Sequence, residues 1–232
     1  MLARARVGNS VPVGHASTLR GLASRAKLYS AMLARGRTHY ETEIKLRVAD
    51  LPALVRQIRR LGAVEHGRVL ERNTLYDTPD SDFRLRGLLL RLRRETPAPS
   101  KMIRGGARRS VVTSKAPVPA SRWSRYKQKL EREVEVRSPS RWASALRALG
   151  LHPSFRYEKY RTTFRLRGLH LDLDETPVGV FLELEGAPRT IDRVARVLGF
   201  APRHYIRGTY WDVYAADCRR RGRAPRNMLF ST

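Results

Sequence analysis

The sequence predicts an α+β protein, a closed eight-stranded antiparallel β-barrel with helices flanking it on the outside. Three observations lead there. Runs with strand periodicity outnumber helical ones, and nearly every such run carries one ionic face. The helical stretches between them are amphipathic, so each needs a sheet to cover.

The first strand is Tyr40-Glu-Thr-Glu-Ile-Lys-Leu-Arg-Val48. Glu41, Glu43 and Lys45 fall at every second position and alternate with Ile44, Leu46 and Val48, which puts the charges on one face and the apolar residues on the other. Asp50 can cap a helix over residues 51–61, with Leu51, Leu54, Ile58 and Leu61 on one side and Gly62 as its stop. Strands are expected at 68–78, 88–95, 110–116 and 124–137. The stretch 96–109, with Pro97, Pro99, Gly105 and Gly106, reads as a flexible loop. A second helix fits 138–149 and stops at Gly150. Strands at 155–166, 169–175 and 179–186 follow, and a third helix fits 190–198, again ending Leu-Gly.

The ionic faces recur along the chain. Arg91 and Arg93 alternate with Leu88, Leu90 and Leu92, and Lys115 shares a face with Thr113. Lys127, Lys129, Glu131, Glu133 and Glu135 share another, as do Lys159 with Arg161, Asp172 with Asp174, and Glu183 with Glu185. If these faces met water, the apolar faces would fill the barrel and the helices would have nothing to cover. Turned inward, they line a central passage. An unpaired buried charge costs several kcal/mol, so such a passage needs water and a ligand that satisfies both signs. A polyphosphate with Mg²⁺ or Mn²⁺ does so, because cations clamp phosphate oxygens while carboxylates hold the metal.

Composition sets the frame. The 232 residues, 41% hydrophobic with three Trp, can bury one domain's core. The balance of +26 points toward polyanions. Residues 1–40 and 218–232 together hold twelve of the 47 cations and none of the 21 acids, so about half of the excess lies in two basic segments. The expected layout is a basic extension over 1–38, the barrel domain over 39–216 and a basic tail over 217–232. The extension resembles a transit peptide or a disordered arm in composition, and Met32 offers a second start. Neither a signal-peptide core nor a run of membrane-spanning length is present, so a soluble, cytoplasmic protein is expected. The one cysteine, Cys218, has no intrachain partner, in keeping with a reducing compartment.

The motifs resemble those of the CYTH domain, the triphosphate tunnel metalloenzymes that include class IV adenylate cyclases and thiamine triphosphatases. Glu41-x-Glu43-x-Lys45 is similar to the family's opening signature. Leu75-Tyr-Asp-Thr-Pro79 and Leu90-Arg-Leu-Arg93 resemble its second block. Thr113-Ser-Lys115, Glu133-Val-Glu135, Tyr157-Glu-Lys-Tyr-Arg161, Leu173-Asp-Glu175 and Gly179-Val-Phe-Leu-Glu-Leu-Glu185 follow in the family's order, over about Tyr40 to Tyr214. One departure is Glu131, where the family often carries Arg.

The resemblance implies a metal-dependent enzyme acting on a small-molecule triphosphate: ATP, tripolyphosphate or thiamine triphosphate. It implies Glu41, Glu43 and Lys45 as catalytic residues and Glu41, Glu43 and Glu185 as the leading ligands of Mg²⁺ or Mn²⁺. Glu133, Glu135, Asp174 and Glu183 are further carboxylates, and Lys45, Arg91, Arg93, Lys115, Lys159 and Arg161 would grip the triphosphate. The leading reading is a cyclase that forms cyclic AMP and diphosphate. The alternatives are a triphosphatase and a non-catalytic polyphosphate or nucleic-acid binding module, the last motivated by Arg104-Gly-Gly106 and Arg219-Arg-Arg221. Nucleic acid would be met only through the basic tails, no membrane is implied, and a homodimer is compatible with either enzyme. Tyr76, Phe83, Trp123 and Tyr157 are the aromatics that could meet an adenine at the mouth. The sequence contains no phosphate-binding P-loop, no zinc-spaced Cys/His cluster and no Gly-x-Ser-x-Gly elbow.

Overall fold

A computed structural model describes residues 36–101, 103–118 and 124–231. Met32 and Trp123 lie outside them, as does the extension apart from its last residues. Eight strands form the barrel: β1 (Arg37–Val48), β2 (Val64–Asp77), β3 (Leu89–Pro97), β4 (Arg109–Pro117), β5 (Lys127–Glu135), β6 (His152–Leu166), β7 (Leu169–Thr176) and β8 (Gly179–Gly186). They close in the order β1-β5-β4-β3-β2-β6-β7-β8, with every pairing antiparallel and β8 returning to β1. The number and type of strands are those predicted.

The apolar faces point outward. Ile44, Leu46 and Val48 of β1, Leu171 and Leu173 of β7 and Leu182 and Leu184 of β8 form one buried core with two helices. These are α1 (Leu51–Arg60), through Leu54, Val55 and Ile58, and a second helix near the C-terminus, through Ile191, Val194 and Ala195. The Asp50 carboxylate accepts from Ala53 N at 2.8 Å, as its cap position predicts. Gly62, with φ +80, ends the helix in the left-handed conformation that a Leu-Gly ending signals.

The other helices are α2 (Asp82–Leu85), α3 (Pro139–Ala148), α4 (Pro188–Val197), which is the second helix of that core, and α5 (Tyr210–Arg220). Helices α2 and α5, and a 3₁₀ turn at Pro202–His204, were not legible as helices from periodicity. Helix α5 is announced by a capping box: Thr209 Oγ1 accepts from Asp212 N, and the Asp212 carboxylate accepts from Thr209 N at 2.7 Å. The boundary expected at 216/217 falls inside α5, and Cys218 is a free, buried thiol. Beyond the helix, Met228 is 1% exposed and bonds along β6, with Glu158 N donating to Met228 O at 2.9 Å. The arginine-rich composition of this segment hides the apolar anchors that hold it to the barrel.

Residues 96–109, expected as a flexible loop, are tied to β2 where described: Arg68 N donates to Arg104 O at 2.8 Å, and Gly106 N to Arg68 O at 2.9 Å. Gly67 makes this approach feasible. Its φ is +108, and a Cβ there would lie 2.9 Å from Gly106 Cα, a backbone atom with no room to yield. Gly67→Ala is expected to destabilise the fold by at least about 2 kcal/mol, seen as a lower midpoint in thermal unfolding. An unchanged midpoint would mean that the loop is not packed against β2.

Candidate active site

The inward faces carry the charges, and these pair with one another. Three neighbourhoods result. In the first, β1, β4, β5 and β8 bring Glu41, Glu43, Glu131 and Glu185 together with two lysines. Lys115 Nζ lies 2.6 Å from Glu41 and 3.0 Å from Glu131, while Lys127 bonds Glu43. Glu131, the departure from the family pattern, therefore lies inside the barrel as a partner of Lys115.

In the second, β1, β2, β6, β7 and β8 assemble Lys45, Lys159 and Arg161. Lys45 Nζ is 3.0 Å from Glu183, Lys159 donates to Asp174 at 2.7 Å, and Arg161 is shared among Asp172 at 2.8 Å, Asp174 at 2.6 Å and Glu183. In the third, Arg93 on β3 meets Glu133 at 3.2 Å and Arg91 donates to Tyr157 Oη at 3.3 Å. Arg91 Nε is buried without a partner, a donor left for a ligand.

Two buried carboxylates that meet Arg93 were missed by sequence reasoning, Glu95 on β3 at 3.0 Å and Glu71. Glu71 on β2 is fully buried and lies 3.4 Å from Arg93, 3.6 Å from Lys159 and 3.6 Å from Arg161, tying two neighbourhoods together. Its signal was the inward row Val69, Glu71 and Asn73, masked by the charged outward neighbours Arg68 and Arg72. Conversely, Glu135 is not brought to the others. It stands at the end of β5, opposite Val111, and is exposed. Of the mouth aromatics, Tyr76 and Tyr157 are buried packing residues.

The interior is closed on the side of Lys45 and Lys159. Tyr210, first residue of α5, donates its hydroxyl to Asp174 at 2.5 Å, and its ring lies 4.3 Å from Lys45 Nζ and 4.8 Å from Lys159 Nζ. Phe155, Tyr157, Phe181 and Met228 pack around it, with Trp211 edge-on to Phe155 at 5.0 Å. Side-chain exposure rises from zero at Glu71 and Asp174 to 28% at Glu133 and 33% at Glu185, so solvent reaches the lining from that side.

Electrostatics follow this geometry. Burial opposes ionisation of Glu43 and Glu133, yet Lys127 beside the first and Arg93 and Arg91 beside the second hold both carboxyls down at about 2. Burial pushes Glu41 up to about 8 against the pull of Lys115, and Glu185 up to about 7, with Glu43 and Glu131 adding to both shifts. At both groups burial outweighs the pull of Lys115, and their hard oxygens suit Mg²⁺ or Mn²⁺. Among the described residues no three Asp, Glu, His or Cys side chains form a preassembled cage. Glu41 and Glu43 are turned to lysines, so a divalent cation would take over charges the lysines now neutralise. The residues fit such an ion.

Comparison with known proteins agrees with the geometry. None of the curated proteins matches by sequence. Among solved structures, a candidate adenylate cyclase from Vibrio parahaemolyticus superposes with a TM-score of 0.65 at 17% identity, covering 76% of this chain and 98% of its own. The PH1819 protein of Pyrococcus horikoshii OT3 gives 0.62 at 21% identity, covering 76% and 99%. The PH1012 protein of the same organism gives 0.58 at 23%, covering 75% and 98%. At these identities the likeness establishes the fold. The model of the CYTH domain matches residues 39–198, the eight strands apart from the first two residues of β1 and the helices α1 to α4, and the chain therefore belongs to the CYTH domain family.

Proposed function

We propose that the barrel interior is a divalent-metal-dependent triphosphate site and that the protein is an adenylate cyclase of the class IV type, forming cyclic AMP and diphosphate from ATP. The observation that carries this reading is the polarity of the interior. Lys45 and Lys159 lie against the tyrosine-closed side with Arg161 bonded to the same Asp174, whereas the acidic side, ending at Glu185, meets solvent. A triphosphate would enter terminal phosphate first, with its nucleoside left toward Glu185. Asp174 already accepts from Lys159, Arg161 and Tyr210, and Glu183 is paired with Lys45 and Arg161, so neither carboxylate of the closed side is free to draw a proton from water. Attack at the α-phosphorus, beside Glu41, Glu43 and Glu185, is the chemistry this asymmetry favours.

In this mechanism Lys45, Arg91, Arg93, Lys115, Lys159 and Arg161 exchange their carboxylate partners for phosphate oxygens and stabilise the departing diphosphate. Glu41, Glu43 and Glu185 stand on the ribose 3′-hydroxyl side and take up the proton that hydroxyl loses as its oxygen bonds the α-phosphorus and the bond to diphosphate breaks, and Glu183 and Asp174 keep Lys45, Lys159 and Arg161 aimed. Mg²⁺ or Mn²⁺, held by Glu41, Glu43 and Glu185, would supply Lewis acidity toward the phosphate oxygens and the attacking hydroxyl. A triphosphatase is the second reading, because the same deep cations suit a terminal phosphate. A cytoplasmic location belongs to the proposal. Among the described residues no helix is long and apolar enough to cross a membrane.

The test is product analysis of the full chain with Mg²⁺ or Mn²⁺, offered ATP, tripolyphosphate and thiamine triphosphate in parallel. Cyclic AMP with diphosphate is the expected result. Orthophosphate without cyclic nucleotide would replace the cyclase by a triphosphatase, and absence of turnover with retained binding would leave a polyphosphate-binding module.

A further inference from the structure

A second concentration of positive charge lies at the rim of the barrel. A cleft of about 810 Å³ opens there, where β2, β3 and β4 meet the end of β5, lined by outward-phase Arg72 and Arg94 and by inward-phase Glu95, Arg109 and Glu135. Its walls carry five arginines, Arg72, Arg94, Arg108, Arg109 and Arg137, against two carboxylates, Glu95 and Glu135. Register explains the convergence. Arg94 on β3 is flanked across the sheet by Arg72 on β2 and by Ser110 on β4, all on the outward face, and Ser110 O accepts from Val136 N, which brings Arg137 alongside.

Two of the arginines are already engaged. Arg72 lies 3.1 Å from Glu158, and Arg109 donates to Glu95 at 2.6 Å. Arg94, Arg108 and Arg137 have no ion-pair partner among the described residues, so three like charges share one concave surface. Like charges brought together without compensation repel, and a multivalent anion removes that penalty. The helix α3 supplies a second, independent feature. Pro139, its first residue, is part of the wall, its first turn holds no acid, and Ser138 makes no side-chain cap. The positive end of a ten-residue helix dipole therefore borders the arginines.

We propose that this cleft is a second anion site that binds an oligophosphate, a chain of two or more phosphate groups, without a metal ion. A single phosphate would fill only a small part of the volume and could not meet three separated guanidinium groups. Arginine rather than carboxylate dominates the lining, so binding here needs no divalent cation, in contrast to the barrel interior. Glu95 links the two regions: Arg109 holds it from the cleft, and Arg93 Nε approaches it at 3.0 Å from inside.

The experiment is calorimetric titration of the full chain with inorganic tripolyphosphate in the presence of EDTA, for the wild type and for R94Q/R137Q. Glutamine keeps the length and polarity of these exposed side chains while removing the charge. The wild type is expected to bind without metal, and the double variant to bind at least about 100-fold more weakly, from the loss of two charge-assisted contacts. Orthophosphate should compete poorly. Equal affinity of wild type and variant would overturn the proposal and assign the binding to the basic termini or the barrel, and so would an absence of metal-free binding by the wild type. Turnover is read separately with metal present, so failure of the cleft does not count against the barrel reading.

Discussion

Glu71→Gln is expected to destabilise the protein by about 3 kcal/mol, the largest stability effect of any single substitution in the lining. Glu71 is wholly buried and faces Arg93, Lys159 and Arg161, two of which also line the closed end. An isosteric amide removes its charge but leaves three buried cations with fewer acids. The remaining partners, Asp174, Glu183 and Glu133, keep the loss toward the lower end of what breaking a buried ion pair costs. Burial opposes ionisation of Glu71, but Lys159, Arg161 and Arg93 outweigh it and hold the carboxyl well below the ordinary range. As pH falls below about 4.5, the unfolded chain takes up a proton at this position while the folded one does not, so stability drops with acidification. The variant lacks this term, and its stability should fall less steeply between about pH 4.5 and 3 than that of the wild type. Denaturant unfolding at a series of pH values checks both points. Equal stability and equal acid slopes would mean that water, not Glu71, neutralises these cations.

The barrel was legible because its strands obey a period of two with unusual clarity. In β1 the alternation of Glu41, Glu43 and Lys45 with Ile44, Leu46 and Val48 is the physical difference between interior and helix-covered exterior, and the same holds for Arg91 and Arg93 on β3. Positions lost their signal where both faces are charged. Glu71 sits between Arg68 and Arg72, so the pattern that exposed Glu43 is absent there. Glu135 shows the converse failure: it keeps the inward phase of Glu133, but the strand ends with it, and phase carries no information about where a barrel stops. The α5 plug was illegible for a third reason. Tyr210, Trp211 and Tyr214 pack into an aromatic cluster with Phe155 and Phe181, and no helical stripe results. Only the Thr209–Asp212 capping box marked it.

Replacing Glu43 by glutamine together with Lys45 by alanine is expected to lower kcat/KM by at least about 10³ while the barrel stays folded. The two substitutions remove one charge of each sign, so the interior's balance is unchanged. Glu183, which loses Lys45, keeps Arg161, and Lys127, which loses Glu43, is 18% exposed and can turn to water. The activity has no such substitute. Lys45 is anchored at the closed side by Gly208 O at 3.3 Å and by Glu183, and it is the cation that β1 contributes to the deep end. Glu43, held ionised by Lys127, is the β1 carboxylate that stands opposite Glu185 in the β1–β8 pairing, the two strands a divalent ion would bridge. Steady-state kinetics with ATP and with tripolyphosphate, beside near-UV circular dichroism and thermal unfolding, separate the two effects. Loss of turnover with a native spectrum assigns Glu43 and Lys45 to transition-state stabilisation. Activity that falls only in step with the folded fraction would assign them to the ion-pair lattice that shapes the barrel, and the catalytic centre would then lie with Arg91, Arg93 and Lys115.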